Sequence, residues 1–278
     1  MSRVWLITGS SRGLGRALAE AVLAGGDQLV ATARTPAQLD DLTDQYGDQV
    51  RAVALDVTDP AAARVAVRTA VDAFGSLDVL VNNAGYADVA AIEDIAEDDF
   101  RAQIEANFFG TVNLTRAVLP IMREQGRGHI IQISSVGSRV ASAGLGAYQS
   151  AKWAVVGFSA VLAKEVAAFG IRITSVEPGA LRTDWAGSSM RRLPMSEPYR
   201  PVIEPVVDRM NQSTGNQPGD PARAAQAIIR ITGVDDPPAR LLLGADAVAG
   251  ATAAAESLAA SDARWRELSE SIVFDTSS

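Results

Sequence analysis

Val4-Trp5-Leu6-Ile7 runs directly into Thr8-Gly9-Ser10-Ser11-Arg12-Gly13-Leu14-Gly15 and then Arg16-Ala17-Leu18-Ala19. The apolar run reads as a strand and the last segment as the opening of a helix. Strand, glycine-rich turn and helix, in that order, present backbone N–H groups and a helix N-terminus to a pyrophosphate. The glycines permit a tight turn and a close approach of backbone to ligand. Glycines alone would suit an empty turn equally well, and it is the flanking strand and helix that favour a ligand. Gly9, Ser11, Arg12, Gly13, Leu14 and Gly15 are the first candidate cofactor residues.

Outward from this turn the same alternation repeats. Short apolar runs recur at Leu29 to Ala33, Val50 to Leu55, Val79 to Val81, His129 to Ile133, Ile171 to Val176 and Leu241 to Leu243. Between them lie stretches with helical spacing: Gly13 to Ala24, Ala61 to Phe74, Phe100 to Arg123, Tyr148 to Phe169 and Pro221 to Ile231. Alternating strands and helices imply a parallel sheet, because each parallel strand needs a crossover. Val79-Leu80-Val81 and Ile130-Ile131 are continuously apolar, as strands covered on both faces must be. The fold expected is α/β: a doubly wound, Rossmann-type parallel sheet of about seven strands with helices on both faces, in a single domain over 1–278.

Two stretches depart from the alternation. From about 183 to 220 the chain is rich in Ser, Pro, Met and Arg, and Pro194, Pro198, Pro201 and Pro205 are read as preventing a regular helix. A connection that long suggests a lid or binding loop. Its Trp185, Met190, Leu193, Met195 and Tyr199 either form an apolar lid over a substrate or cover the core. After the last strand an extension of about 244–278 carries an Ala-rich run, Ala251 to Leu268, which reads as a helix at a subunit contact.

Composition narrows the function. A formal net charge of -8 and a pI near 4.8 argue against a nucleic-acid face and against attraction to anionic lipid. With no Cys, thiolate nucleophiles and cysteine-held metal sites are excluded, and no metal is expected. The first apolar run is too short for a signal peptide, and no stretch reaches the roughly 18 apolar residues of a membrane span. A cytoplasmic location without membrane or nucleic-acid partners is the expectation.

The second strand ends Thr32-Ala33-Arg34, where an NAD site usually carries an acidic residue on the adenosine ribose. Arg34, joined by Arg12, instead suits a 2′-phosphate, and NADP(H) is the expected cofactor. In Leu55-Asp56-Val57, Asp56 is either an acceptor for the adenine amino group, with Val57 beside it, or part of a simple strand-end turn.

A Tyr-x-x-x-Lys spacing proves little by itself. Tyr148 and Lys152, however, lie on the helix after the strand that ends in Ser134-Ser135. Ligands of open parallel sheets bind outside the carboxyl ends of strands, where Ser135, this helix and the glycine turn meet. Carbonyl reduction needs a proton donor beside the oxygen, and a phenol serves. A neighbouring ammonium should lower the phenol pKa, and Lys152 is one turn on. Ser135 is placed to hold the substrate oxygen. Trp153 and Phe158, on the same helix, are read as core packing, and His129 as structural.

These motifs together resemble the short-chain dehydrogenase/reductase family, and the match runs through most of the chain in order. Thr8 to Gly15 is similar to its cofactor loop, and Asn82-Asn83-Ala84-Gly85 to the motif after its fourth strand. Asn107, Ser135, Tyr148 and Lys152 match its catalytic tetrad, and Pro178-Gly179 with Thr183 the segment that closes over the nicotinamide. The resemblance implies that Lys152 binds the nicotinamide ribose, that Asn107 supports a water-linked proton path to Lys152, and that Asn83, Ala84, Gly85, Pro178, Gly179 and Thr183 contact the cofactor. Arg34 resembles the NADP(H)-preferring members. The long loop and extension are like those of steroid, retinol and ketone reductases.

The expected activity is therefore an NADP(H)-dependent reduction of a ketone or aldehyde, or its reverse, on a small apolar substrate contacted by Ser135, Tyr148 and Trp185, in a homo-oligomer (dimer or tetramer). The alternatives are an NAD-dependent alcohol or steroid dehydrogenase and a non-catalytic NADP(H)-binding regulator.

Overall fold

The computed structural model describes residues 2–187 and 190–274; residues 188–189 of the expected loop and 275–278 of the expected extension lie outside them. The strands are β1 (Val4–Ile7), β2 (Gln28–Ala33), β3 (Val50–Ala54), β4 (Val79–Asn82), β5 (Asp88–Val89), β6 (Gly128–Ile133), β7 (Ile171–Pro178), β8 (Arg191–Arg192) and β9 (Arg240–Leu243). The helices are α1 (Gly13–Ala24), α2 (Asp40–Tyr46), α3 (Pro60–Phe74), α4 (Glu97–Ile104), α5 (Gly110–Gln125), α6 (Gly146–Val166), α7 (Arg200–Ser213), α8 (Pro221–Thr232) and α9 (Ala245–Glu270).

Seven strands form one sheet in the order β3-β2-β1-β4-β6-β7-β9, every pairing parallel. This is the doubly wound sheet that the alternation implied, and the order in which successive strands are added reverses between β1 and β4. The period-two pleat divides the apolar residues. Trp5, Ile7, Val79, Val81 and Ile131 pack with α1 and α8 on one face. Val4, Leu6, Leu80 and Ile130 pack with α3, α5 and α6 on the other. A third cluster sits apart from the sheet and joins Val89, Leu145, Tyr148, Met190 and Ile203.

The helical stretch read as Phe100 to Arg123 begins at Glu97 and is interrupted by a π turn at Glu105–Phe109. The prolines of the long loop do not exclude helix. Pro201 sits in the first turn of α7, where its missing N–H would have had no partner, and Pro205 forfeits one hydrogen bond inside the helix. What holds α7 is a stripe at i, i+4 and i+7: Ile203 is buried in the third cluster, with Val207 and Met210 packed against it. Trp153 is likewise corrected. The face of α6 that is buried runs through Tyr148, Ala151, Lys152, Val155, Ser159 and Leu162, and Trp153 points off it and is 53% exposed. Phe158 does pack against the core, edge-on to Phe108.

α9 is longer than the run read from sequence. Only Ala247 and Ala251 are buried, and from Ala255 to Glu270 every residue is exposed. Among the described residues no helix is long and apolar enough to cross a membrane.

Candidate active site

The glycine turn follows β1 at the carboxyl edge of the sheet. Gly9 (φ 69°) and Gly13 (φ 59°) take left-handed conformations that other residues adopt only at a cost. A Cβ on Gly15 would overlap the Gly9 carbonyl and the Asn83 side chain, so α1 can approach the turn only because position 15 has none. Thr8 Oγ1 accepts hydrogen bonds from the N–H groups of Asn83 and Ala84, both 2.9 Å. Asn83 Nδ2 in turn donates to the carbonyls of Thr8 (2.9 Å) and Gly9 (3.2 Å). The Asn83 side chain thus braces the turn from beneath. Thr8, absent from the candidates drawn from sequence, is the other half of this brace.

α1 starts without an acidic residue in its first turn and without a side-chain cap, which leaves its N-terminal N–H groups free for an anion. Ser11 is half-buried in the turn and Leu14 is packed into the core beneath it. Arg12 and Arg34 are both exposed, and among the described residues neither forms an ion pair. Asp56 Oδ1 accepts from both the N–H (2.9 Å) and the hydroxyl (2.7 Å) of Thr58. These bonds, with the nearby Arg34 charge, hold its carboxyl below the usual range. Asp56 thus makes a strand-end turn, and both of these bonds fall on Oδ1. Val57 packs its side chain on Gly110, and its carbonyl accepts from Asn113 Nδ2 at 3.0 Å.

Tyr148 and Lys152 are both buried on α6, beside the end of β6. Ser135 stands close enough to Tyr148 to lower its phenol pKa, and its Oγ accepts from Gly137 N–H at 3.0 Å. Lys152 Nζ donates to the Ile133 carbonyl at 2.8 Å and lies 5.7 Å from the Tyr148 ring centroid. Burial pushes the Tyr148 phenol up to about 12 against the lowering influence of Ser135, and pushes Lys152 down to about 8. Removal from water raises the phenol, the opposite of the lowering expected from Lys152, and the influence opposing that rise comes from Ser135. Both groups remain mainly protonated at neutral pH.

Asn107 is fully buried in the π turn, a distortion that often marks functional positions. Its Nδ2 donates to the carbonyls of Tyr86 (2.8 Å) and Gln103 (2.9 Å). Its Oδ1 has no partner and faces Gly85, where a Cβ would overlap it and would also stand 3.5 Å from Lys152 Nζ. Gly85, Asn107 and Lys152 therefore converge, although their sequence positions are far apart. A buried acceptor without a partner is costly, which marks this corner as a place for a polar guest.

Thr183 stands against Gly13, its Cβ 3.5 Å from where a Cβ of Gly13 would be, and its Oγ1 caps the turn by accepting from Trp185 N–H at 3.3 Å. Trp185 lies over Tyr148, ring centroids 5.1 Å apart. Met190, Met195 and Tyr199 join this third cluster, and Leu193 contributes a backbone bond to the Val89 carbonyl at 3.0 Å. β8 pairs with β5, and Arg191 grips the fully buried Asp88 carboxylate, Nε to Oδ1 3.1 Å, while also bonding Asp99 at 2.7 Å. No sequence signal marks that pair. His129 is buried, bonded through Nε2 to Thr174 Oγ1 at 2.9 Å, and burial pushes it down to about 3, a structural role.

Residues 3–193 match the short chain dehydrogenase family. The chain is an oxidoreductase of that family. Over 270 residues it is 54% identical to Oxidoreductase BOA17 of Botryotinia fuckeliana (strain B05.10), covering 97% of this chain and 98% of that one. Its structure superposes with a TM-score of 0.93 on a short-chain dehydrogenase from Streptomyces avermitilis, 41% identical, covering 99% of this chain and 100% of the other. The closed form of a serine dehydrogenase complexed with NADP+ superposes with a TM-score of 0.75 at 27% identity, covering 86% of this chain and 94% of the other.

Proposed function

We propose that this chain interconverts a small apolar ketone or aldehyde and its alcohol with NADP(H). The observation that carries the reading is the buried pair Tyr148 and Lys152 on α6, with Ser135 near the phenol and Gly85 and Asn107 beside Lys152. The residues fit the cofactor. The left-handed glycines and uncapped α1 N-terminus suit its pyrophosphate, and the unpaired Arg12 and Arg34 suit a 2′-phosphate. Asp56 and Val57 would flank the adenine; Asn83, Ala84 and Gly85 would line the path to the nicotinamide ribose, held by Tyr148 and Lys152. Pro178, Gly179 and Thr183 would close over the ring.

When bound, NADPH supplies a hydride to the carbonyl carbon. Tyr148 donates its phenol proton to the carbonyl oxygen, completing the alcohol, and the elevated phenol pKa keeps that proton available at neutral pH. Ser135 steadies the oxygen as charge develops there. Lys152, protonated below about pH 8, offsets the charge left on the phenolate. Trp185, Met190, Met195 and Ile203 offer an apolar wall, and methionines adapt to varied shapes. Arg191, Arg192 and Tyr199 in the same region are committed to Asp88, Asn211 and Glu93, which favours an uncharged substrate.

Initial rates on a panel of aliphatic, aromatic and steroidal ketones, each with NADPH and NADH, test the reading. The expected result is reduction with at least about tenfold preference for NADPH, the worth of one charge-assisted hydrogen bond. A preference for NADH would replace it by an NAD-dependent dehydrogenase, and no turnover with either by a binding protein.

A further inference from the structure

We infer that Asp246, in the first turn of α9, is a positioning residue for the dinucleotide site, tying the C-terminal helix to the segment that leads from β7 to Thr183 and Trp185. The inference rests on the reading above for what that site holds.

The end of β7 is rigid up to Glu177. Its carboxylate is fully buried between Arg139, in the turn after Ser135, and Arg240 at the start of β9. Pro178 stands opposite Leu243 in the last rung of the ladder, and Gly179 N–H makes the last sheet bond, to the Leu243 carbonyl at 2.9 Å. The next N–H, that of Ala180, leaves the sheet and donates to Asp246 Oδ2 at 2.7 Å. Asp246 is thus the first group to hold the chain beyond the strand.

The carboxylate occupies a notch made by two glycines. A Cβ on Gly179 or on Gly244 would overlap it, and Gly244 (φ 113°) takes a conformation that only glycine adopts readily. From this anchor the segment is tied along its other edge. Gly219 N–H donates to the Ala180 carbonyl at 3.0 Å and Arg182 N–H to the Gly219 carbonyl at 2.8 Å. The chain then delivers Thr183 to Gly13 and Trp185 to the Tyr148 ring. Loss of the Asp246 acceptor frees the Gly179–Ala180 peptide and, through it, the contact of Thr183 with the glycine turn. A helix from the C-terminal extension thereby sets how the site closes.

Asp246→Ala and Asp246→Asn are compared with the wild-type chain by NADPH fluorescence titration, by hydrogen exchange of residues 179–187 without ligand, and by thermal unfolding. Asn keeps an acceptor oxygen while losing the charge. The expected result is NADPH binding weakened about tenfold in Asp246→Ala with faster exchange over 179–187, and near-wild-type values in Asp246→Asn. A wild-type Kd and wild-type exchange in Asp246→Ala overturn the inference. So does a lowered unfolding temperature with both unchanged, which would make Asp246 only a favourable charge at a helix N-terminus. Equal losses in the two variants overturn it as well, because the acceptor would then be irrelevant. A wild-type chain that binds neither NADPH nor NADH, yet shows the exchange difference, refutes the reading of the site and leaves only the anchor.

Discussion

At the glycine turn the chain is fixed chiefly by hydrogen bonds to backbone groups: Thr8 accepts from two backbone N–H groups, and Asn83 donates to two backbone carbonyls. At Trp185 and over residues 190–210 it is held chiefly by side chains, through the third apolar cluster and the grip of Arg191 on Asp88. Tyr148 belongs to both regions, since it stands near Ser135 at the sheet edge and packs under Trp185. The difference teaches a division of labour. A backbone-built cradle suits a cofactor common to many reactions, and a side-chain-built cover can vary with substrate without disturbing it.

Substitutions that separate the two regions test this division. The largest effect is expected from Gly15→Ala, whose Cβ has no room beside the Gly9 carbonyl and Asn83. NADPH binding should weaken on the order of 100-fold in a fluorescence titration, whatever ketone is used. Retained binding would show that α1 can withdraw from the turn. Arg34→Ala comes next, with NADPH affinity down about tenfold and NADH affinity unchanged; an equal loss for both cofactors would remove Arg34 from the 2′-phosphate.

In the cover, Arg191→Ala leaves the Asp88 carboxylate buried without its cation. The KM for a bulky ketone should rise several-fold, by about 0.5–1 kcal/mol of lost binding since Arg191 is half exposed, while the NADPH Kd stays within about twofold. A matching rise in that Kd would break the comparison, because the cover would then be part of the cradle.

The smallest effect on either region is expected from His129, which belongs to neither and acts on stability alone. Burial lowers its pKa from 6.5 to about 3, so between those values the unfolded chain binds the extra proton. Stability should therefore fall as pH drops below about 6.5, by up to about 1.4 kcal/mol per pH unit from this group. Denaturant titrations of His129→Gln against wild type at pH 7 and pH 5 measure it; a difference that does not change with pH would mean His129 is not held neutral.

The cradle was legible in the sequence because backbone geometry forces residue type. Gly9 and Gly13 need left-handed dihedrals, Gly15 and Gly85 need empty space, and the strand periods place them at one sheet edge. Tyr148, Lys152, Ser135 and Asn107 were readable from their order against that frame. The cover was not, because its order comes from contacts between distant positions. Pro201 and Pro205 argued against a helix that Ile203, Val207 and Met210 stabilise through packing. Neither the Asp88–Arg191 pair nor Asp246 beneath Ala180 carries a local signal. The raised phenol pKa carries no local signal either, since burial depends on what the fold lays over Tyr148.

The central claim, that Tyr148 is the proton donor of a carbonyl reduction, is tested most directly by Tyr148→Phe assayed for both NADPH binding and ketone reduction. The account predicts an NADPH Kd raised by no more than about tenfold, the worth of one hydrogen bond to the ribose, and a kcat lower by at least about 100-fold, the low end of what a positioned general acid contributes. Reduction at the wild-type rate by Tyr148→Phe, with NADPH still bound, would contradict it.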